Sequence, residues 1–462
     1  MVCKKKEGNW FLAGALLLAV ISLTAFSYYK QESFGITGAA VGLQEIAILD
    51  EATSTTCGTV SSSLTLTTDV NSTDICFNIT TSNVVLDCDN YQISFSLSMS
   101  GTSPAIVSSG TTNVTVKNCK LMADLQNMGM LMSATGAINY FNVTNGQVSN
   151  NNITLANNSM GSNSYYAMLF NEGSGNNFSR NIINTGITIS PAVYFLSSNN
   201  GIIAGNVIFM NTSSMMGGGG SAAIYLSTSS GFSINNNNIT SISQWDGIYM
   251  MTSQNNIITN NRIDLTGGTS PGKGINIVNG CDNNLLENNT ILSISGEGIY
   301  IDSVSNQTLR GNRINNSGAA GIFISTAYDM DYTPVHYNHT IDTTNLVEGL
   351  PVFFNHSLTN LEVFNNVDLS TTYGQLICSD CTNVTYNNIT LGGDGILFIS
   401  TNSSKIQNSN ITATAASGVY LYDSDYNNLT DNTVSTSGSN NSNIIISGGV
   451  YSPGGNVINN NV

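Results

Sequence analysis

NNLLENNTILSISGEGIYI, residues 283–301, sets single apolar residues in alternation and breaks them with asparagine pairs and glycines. Alternation is the strand period, so Leu286, Ile291, Ile299 and Ile301 fall on one side and Glu287, Thr290 and Tyr300 on the other. The same phrase recurs along the chain: an apolar residue, Asn three places on, and a second apolar residue two places later. It centres on Asn151, Asn181, Asn206, Asn237, Asn261, Asn289, Asn312 and Asn432, with Cys119, Ser409 and Asn461 at the matching place in neighbouring copies. The intervals from 151 to 312 are 30, 25, 31, 24, 28 and 23 residues. A small residue followed by alternating apolar ones keeps step, as AVYFL, AAIYL, GIYMM, GINIV, GIYID, GIFIS, GILFI and GVYLY.

Repeats of this length, built only of short strands and turns, indicate a solenoid. The leucine-rich pattern is absent, no helical period is sustained after residue 50, and propeller blades need repeats of about 40 residues or more. The expected class is therefore all-β, a single-stranded parallel β-helix with coils about 4.8 Å apart. An inward Asn at one corner can pass amide hydrogen bonds from coil to coil, satisfying polar groups where the chain bends. Residues 57–462 allow roughly sixteen coils, with a degenerate segment near 326–373 that carries Pro351. The sequence stops in mid-repeat at NVINNNV, which reads as an open last coil or as a fragment.

The pattern resembles the right-handed parallel β-helix proteins, in particular the copper-accessory (NosD-like) type and its archaeal surface relatives. Two further stretches carry the resemblance. CGTV…ICFNITTSNVVLDCDNYQI, from Cys57 to Ile93, is similar to their opening coils, and HTIDTTNLVEGLPVFF, from His339 to Phe354, to a linking segment. The resemblance implies right-handed coils. It implies little about activity, because such scaffolds host lyases, hydrolases, epimerases and adhesins.

Residues 1–30 differ in kind. Lys4, Lys5 and Lys6 precede an apolar run from Trp10 to Phe26, followed by Tyr28 and Tyr29. Basic residues before the run set the N-terminus inside and the rest outside. The run suits a signal peptide or a membrane anchor. The interfacial tyrosines favour an uncleaved anchor over residues 10–29, with 31–56 as a linker and the coils at the cell surface. Past residue 30 there are 8 basic against 27 acidic residues, a net −19. Such a surface is a poor partner for nucleic acid.

Eight cysteines in an exported chain suggest oxidising surroundings. Cys57 with Cys76 is one expected pair near the solenoid's start, and Cys378 and Cys381 form a CxxC that reads as a disulfide or stacked core cysteines. Among 66 asparagines there are twenty N-x-S/T sequons; Asn238, Asn388 and Asn410 each precede an inward apolar residue, so they should face solvent as glycosylation candidates.

In the marker phrases the second residue after the Gly or Ala faces outward. Tyr194, Tyr225, Tyr249, Asn276, Tyr300 and Phe323, then Leu397 and Tyr420, should thus form a stripe of rings. One reading is a protective coat over the strands; the other is a glycan track, with rings stacked on sugar faces. Glu297, Asp302, Asp329 and Asp331 are the acids placed for acid/base work on a polysaccharide, with Arg310 and Arg313 as the nearby basic pair. His336, His339 and His356 are all the histidines, and copper handling would need them to converge. No cofactor is expected. The reading is a membrane-tethered extracellular β-helix, glycosylated, acting in envelope structure or adhesion, with a polysaccharide or surface protein as partner. The alternatives are a polysaccharide lyase, hydrolase or epimerase, and a copper-handling accessory protein.

Overall fold

The computed structural model describes residues 52–462 apart from 97–103, 125–134, 156–164, 187–189, 212–221, 243–244, 267–271, 294–295, 317, 327–333, 415, 438–441 and 449–453. Residues 10–29 lie outside the described residues; among those described, no helix is long and apolar enough to cross a membrane.

From Ala52 to Val347 the described chain winds through three parallel sheets, and a further seven-stranded sheet forms in the residues that follow. Sheet I, of eleven strands, runs from Gly58–Val60 to Ile322–Ser325, and sheet II, of twelve, from Ala52–Ser54 to Thr340–Ile341; sheet III begins at Val70–Ser72. One coil is Asp246–Met251 in sheet I, Ile257–Thr259 in sheet II and Arg262–Leu265 in sheet III. The register stacks like on like: Ile248 on Ile275, Ile258 on Leu286, Ile263 on Ile291, all fully buried. At the head of sheet I the coil wall is tight. A Cβ on Gly247 would come within 2.4 Å of the Ile263 side chain, so the marker position requires glycine there.

The asparagine pairs now have a division of labour. The first of each pair turns the corner between sheets II and III in the left-handed region, as at Asn150, Asn236, Asn260 and Asn288 (φ 57°, 54°, 55° and 54°), a conformation Asn tolerates better than most residues. The second points inward. Asn151, Asn181, Asn206, Asn237, Asn261, Asn289 and Asn312 are all buried, and each Nδ2 donates to the Oδ1 of the next, ending on Asn345, at 2.8–3.1 Å. The same Oδ1 accepts the preceding backbone N–H, for example Asn261 N to Asn289 Oδ1 at 3.0 Å. Each Nδ2 also donates to a backbone carbonyl, as Asn261 does to Ile234 O at 2.9 Å, and these three bonds per coil satisfy the polar groups of the corner.

This ladder stops at Asn345, inside the segment where the sequence shows no clear copy. Val347 pairs antiparallel with Leu350 across Glu348 and Gly349, both at positive φ (50° and 80°). That is the geometry of a two-residue type I′ hairpin, and it reverses the chain. A second section then winds from Leu350 through parallel strands Leu350–His356, Gln375–Ser379, Ile396–Ile399, Val419–Tyr422 and Ile444–Ser447. It has its own core, which includes Leu376, Val384, Tyr386, Phe398, Ile406 and Leu429. The opposite face of the same strands, carrying Ile377, Leu397 and Ile399, packs into the core of the first section.

Side chains of the second section close the bare end of sheet I. Ile322 N donates to Gln375 Oε1 at 3.1 Å, and Gln375 Nε2 donates back to Ile322 O at 2.9 Å. Gly321 N donates to Asp394 Oδ2 at 2.5 Å, Ser325 Oγ to Tyr422 Oη at 3.0 Å, and Thr326 Oγ1 to Asp423 Oδ2 at 2.7 Å. Three disulfides, Cys57–Cys76, Cys88–Cys119 and Cys378–Cys381, staple the coils, and Cys281 is a buried free thiol.

Candidate functional site

The outward row on sheet I is in register. Tyr194 lies beside Tyr225, then Tyr249, Asn276, Tyr300 and Phe323 in consecutive coils. Its rings differ from the open platform expected of a sugar track. Tyr194 and Tyr225 stack on each other, with centroids 4.8 Å apart and planes 14° apart, so their facing surfaces are already used. Lys273 Nζ lies 3.5 Å from the centre of the Tyr300 ring, and Tyr300 Oη donates to Asp302 Oδ2 at 3.0 Å. Phe323 is only 9 % exposed, because Tyr420 of the second section packs edge-on against it at 5.2 Å. Tyr420 itself sits between Leu397 and Ile445, so it belongs to a different sheet from the other rings. Along these coils the rings also cover the strands beneath them.

Beside the row lies a polar line that the repeat pattern had in plain view. The residues directly before the marker glycines are Asp246, Lys273 and Glu297, in DGIY, KGIN and EGIY. Backbone bonds from Gly247 N to Lys273 O and from Gly274 N to Glu297 O set them at one place in three successive coils. Asp246 accepts from Lys273 N and from Asn276 Nδ2, both at 2.7 Å. Burial raises its carboxyl to about 6, against the lowering effect of these bonds and of the Lys273 charge; the Glu297 charge raises it further. Asn276 Oδ1 is buried without a partner. Burial also holds the Tyr194, Tyr225, Tyr300 and Tyr420 hydroxyls above their usual range, Tyr225 at about 12.

Row and line run into a cleft of about 140 Å³ where the second section docks, lined by Glu297, Phe323, Gln375, Asp394 and Tyr420 among others. Asp394 is 3 % exposed; its Oδ2 is held by Gly321 N, while its Oδ1 has no partner. Burial raises this carboxyl well above the carboxylate range. The arrangement can pair with hydrogen-bond donors and with positive charge beside two aromatic rings.

The remaining sequence candidates lie elsewhere. Arg310 pairs with Glu287 at 2.9 Å on sheet II, and Arg313 heads a strand of sheet III, so neither approaches Asp302 on sheet I. Asp329 and Asp331 lie outside the described residues. His339 takes a ladder position, its Nδ1 accepting from Gln307 N at 3.3 Å, and burial pushes its ring down to about 3. His356 lies 3.9 Å from Asp380. Among the described residues no group of three or more His, Cys, Asp or Glu is placed to hold a metal ion. Asn238, Asn388 and Asn410 are exposed, and Asn432 donates to Asn461 Oδ1 at 2.9 Å in the ladder of the second section.

No curated protein matches this chain. Among solved structures, the A-module of the Azotobacter vinelandii mannuronan C-5 epimerase AlgE6 is 11 % identical over 83 % of this chain and 90 % of that one, with a TM-score of 0.40. The Dettilon tailspike protein is 14 % identical over 84 % and 62 %, with a TM-score of 0.37. A tailspike of the E. coli bacteriophage HK620, solved with a pentasaccharide, is 12 % identical over 84 % and 68 %, with a TM-score of 0.40. Residues 213–345 match the family model of the right-handed beta helix region, and the described coils form a parallel β-helix.

Proposed function

We propose that this chain is a membrane-tethered, extracellular β-helix surface protein that holds a glycan along the outward face of sheet I, anchored in the cleft. Residues 10–29 are the tether in this reading, and the exposed Asn238, Asn388 and Asn410 carry glycans in a host that modifies sequons. It also makes the chain a surface relative of the copper-accessory β-helix proteins. The observation that carries the glycan reading is the cleft at the end of the aromatic row and of the Asp246–Lys273–Glu297 line, lined by Phe323, Glu297, Tyr420 and Asp394, one of whose buried carboxyl oxygens has no partner. Small-ligand sites combine apolar walls with a few convergent polar groups in this way.

The test is retention on a glycan array. Tyr420→Ala, at the cleft, should abolish binding, while Tyr420→Phe, which keeps the ring against Phe323, should retain it; Tyr249→Ser with Tyr300→Ser should weaken binding in proportion to oligosaccharide length. Binding that survives Tyr420→Ala would remove the cleft from the reading. Protease added to intact cells should release the coils and leave a membrane stub; full protection would reverse the orientation.

One observation favours a second reading, a carbohydrate-active enzyme. An Asp raised to about 6 by burial, two coils from Glu297 on the same line, is placed for acid/base exchange on a bound sugar. New reducing ends from oligosaccharides, lost in Asp246→Asn with binding retained, would support it.

A further inference from the structure

We propose that the cleft between the two sections selects a sugar carrying a free, protonated amine, so that the ligand is an amino-sugar glycan. This rests on the glycan reading above and names the chemistry of the same site.

The walls carry Glu297 and Asp394, and no Lys, Arg or His is among the described residues that line them. Two acids alone would be an ordinary solvated pair. Asp394 is different, because it is nine-tenths buried and one of its oxygens is committed to Gly321 N while the other has no partner. A buried oxygen left bare is costly unless something donates to it. Glu297 stands half-exposed at the rim, where its charge acts on Tyr300, Tyr420 and Asp246.

The rings point the same way. Phe323 and Tyr420 meet at 86°, giving the cleft both a ring face and a ring edge. One coil earlier in the same row, the protein already seats an ammonium in this manner: Lys273 Nζ sits 3.5 Å over Tyr300, which stacks on Phe323 at 4° and 5.8 Å. A ligand amine against Phe323 or Tyr420 would repeat that contact next door and gain the carboxyl groups as well. An N-acetyl group brings no charge to Glu297, and a uronate would face like charge there.

The test uses the folded extracellular chain and four probes measured by calorimetry: a glucosamine trimer, its N-acetylated form, a galacturonate trimer and trilysine. The glucosamine trimer should bind about tenfold or more tighter than the acetylated one, a gap of about 1.4 kcal/mol, and should weaken as salt rises. The galacturonate trimer should not bind. Glu297→Gln should erase the preference for the free amine while leaving melting unchanged. Asp394→Asn should do the same, and Glu297→Gln decides the matter where Asp394→Asn loosens the junction. Equal or tighter binding of the acetylated trimer would overturn the amine inference and leave the glycan reading standing. Binding of trilysine without any sugar would overturn both and point to a basic peptide; no binding by any probe would likewise remove both.

Discussion

The two sections solve the same corner differently. In the first, an amide chain from Asn151 to Asn345 occupies the inward position of successive coils, with Cys119 at that place one coil earlier. In the second, that position is held successively by Val367, Ile389, Ser409, Asn432 and Asn461. Left-handed Asn366 and Asn388, at φ 55° and 47°, still turn the chain there. Yet strand pairing runs straight through the bend, joining Thr359–Asp368 to Thr382–Leu391. The bend therefore belongs to the left-handed residue. The inward Asn does something else: it satisfies groups that the bend would otherwise leave unpaired, and where an apolar residue replaces it the backbone pairs across instead.

Disulfides offer the largest test of that difference. Cys88–Cys119 closes 31 residues of the first section, and chain entropy assigns such a loop about 3–4 kcal/mol. Cys378–Cys381 spans three and should contribute about 1–2 kcal/mol by the same relation. Urea melts of the Cys88→Ser/Cys119→Ser and Cys378→Ser/Cys381→Ser proteins should differ accordingly; equal losses would mean that loop length does not set the two contributions.

A smaller effect separates the corners. Asn289→Ala strips partners from Asn261, Asn312 and Ile258 O, and should cost about 1–3 kcal/mol. Ser409→Ala removes one acceptor from Ile389 N and should cost about 1 kcal/mol. Amide exchange would show the first loss spreading to both neighbouring coils and the second staying local.

The smallest is a dependence on pH. Asp246 titrates near 3.8 unfolded and about 6 folded, so the native state holds the extra proton between these values. Its contribution is complete below pH 3.8 and is lost as pH rises to about 6. Asp246→Asn should flatten that slope in the first section, while any slope from Asp394 in the second persists. An unchanged slope would place the titration elsewhere.

The ladder and the outward row were readable because each coil repeats one side chain at one place, so spacing alone encodes contact. The line of Asp246, Lys273 and Glu297 was equally open to spacing, one residue before the marker glycine. It escaped because its charges alternate and no residue type repeats. The hairpin at Glu348 and Gly349 carries a weaker signal, since Glu seldom advertises a left-handed turn. The cleft could not be read at all. It depends on Gly321 meeting Asp394 and on Phe323 meeting Tyr420, contacts made by docking and not by periodicity.

One side chain at that docking surface has a consequence for how the protein behaves in a crowd. The terminal strand of a parallel sheet is a template that invites another chain to pair. Gln375, by donating to and accepting from Ile322, imitates the peptide unit of the strand that would come next. The sheet thereby meets a counterfeit neighbour and stops growing. A chain cut after Asn345 would lose it and expose the edge to other copies of itself, so filament formation, more than unfolding, is the hazard that the second section suppresses.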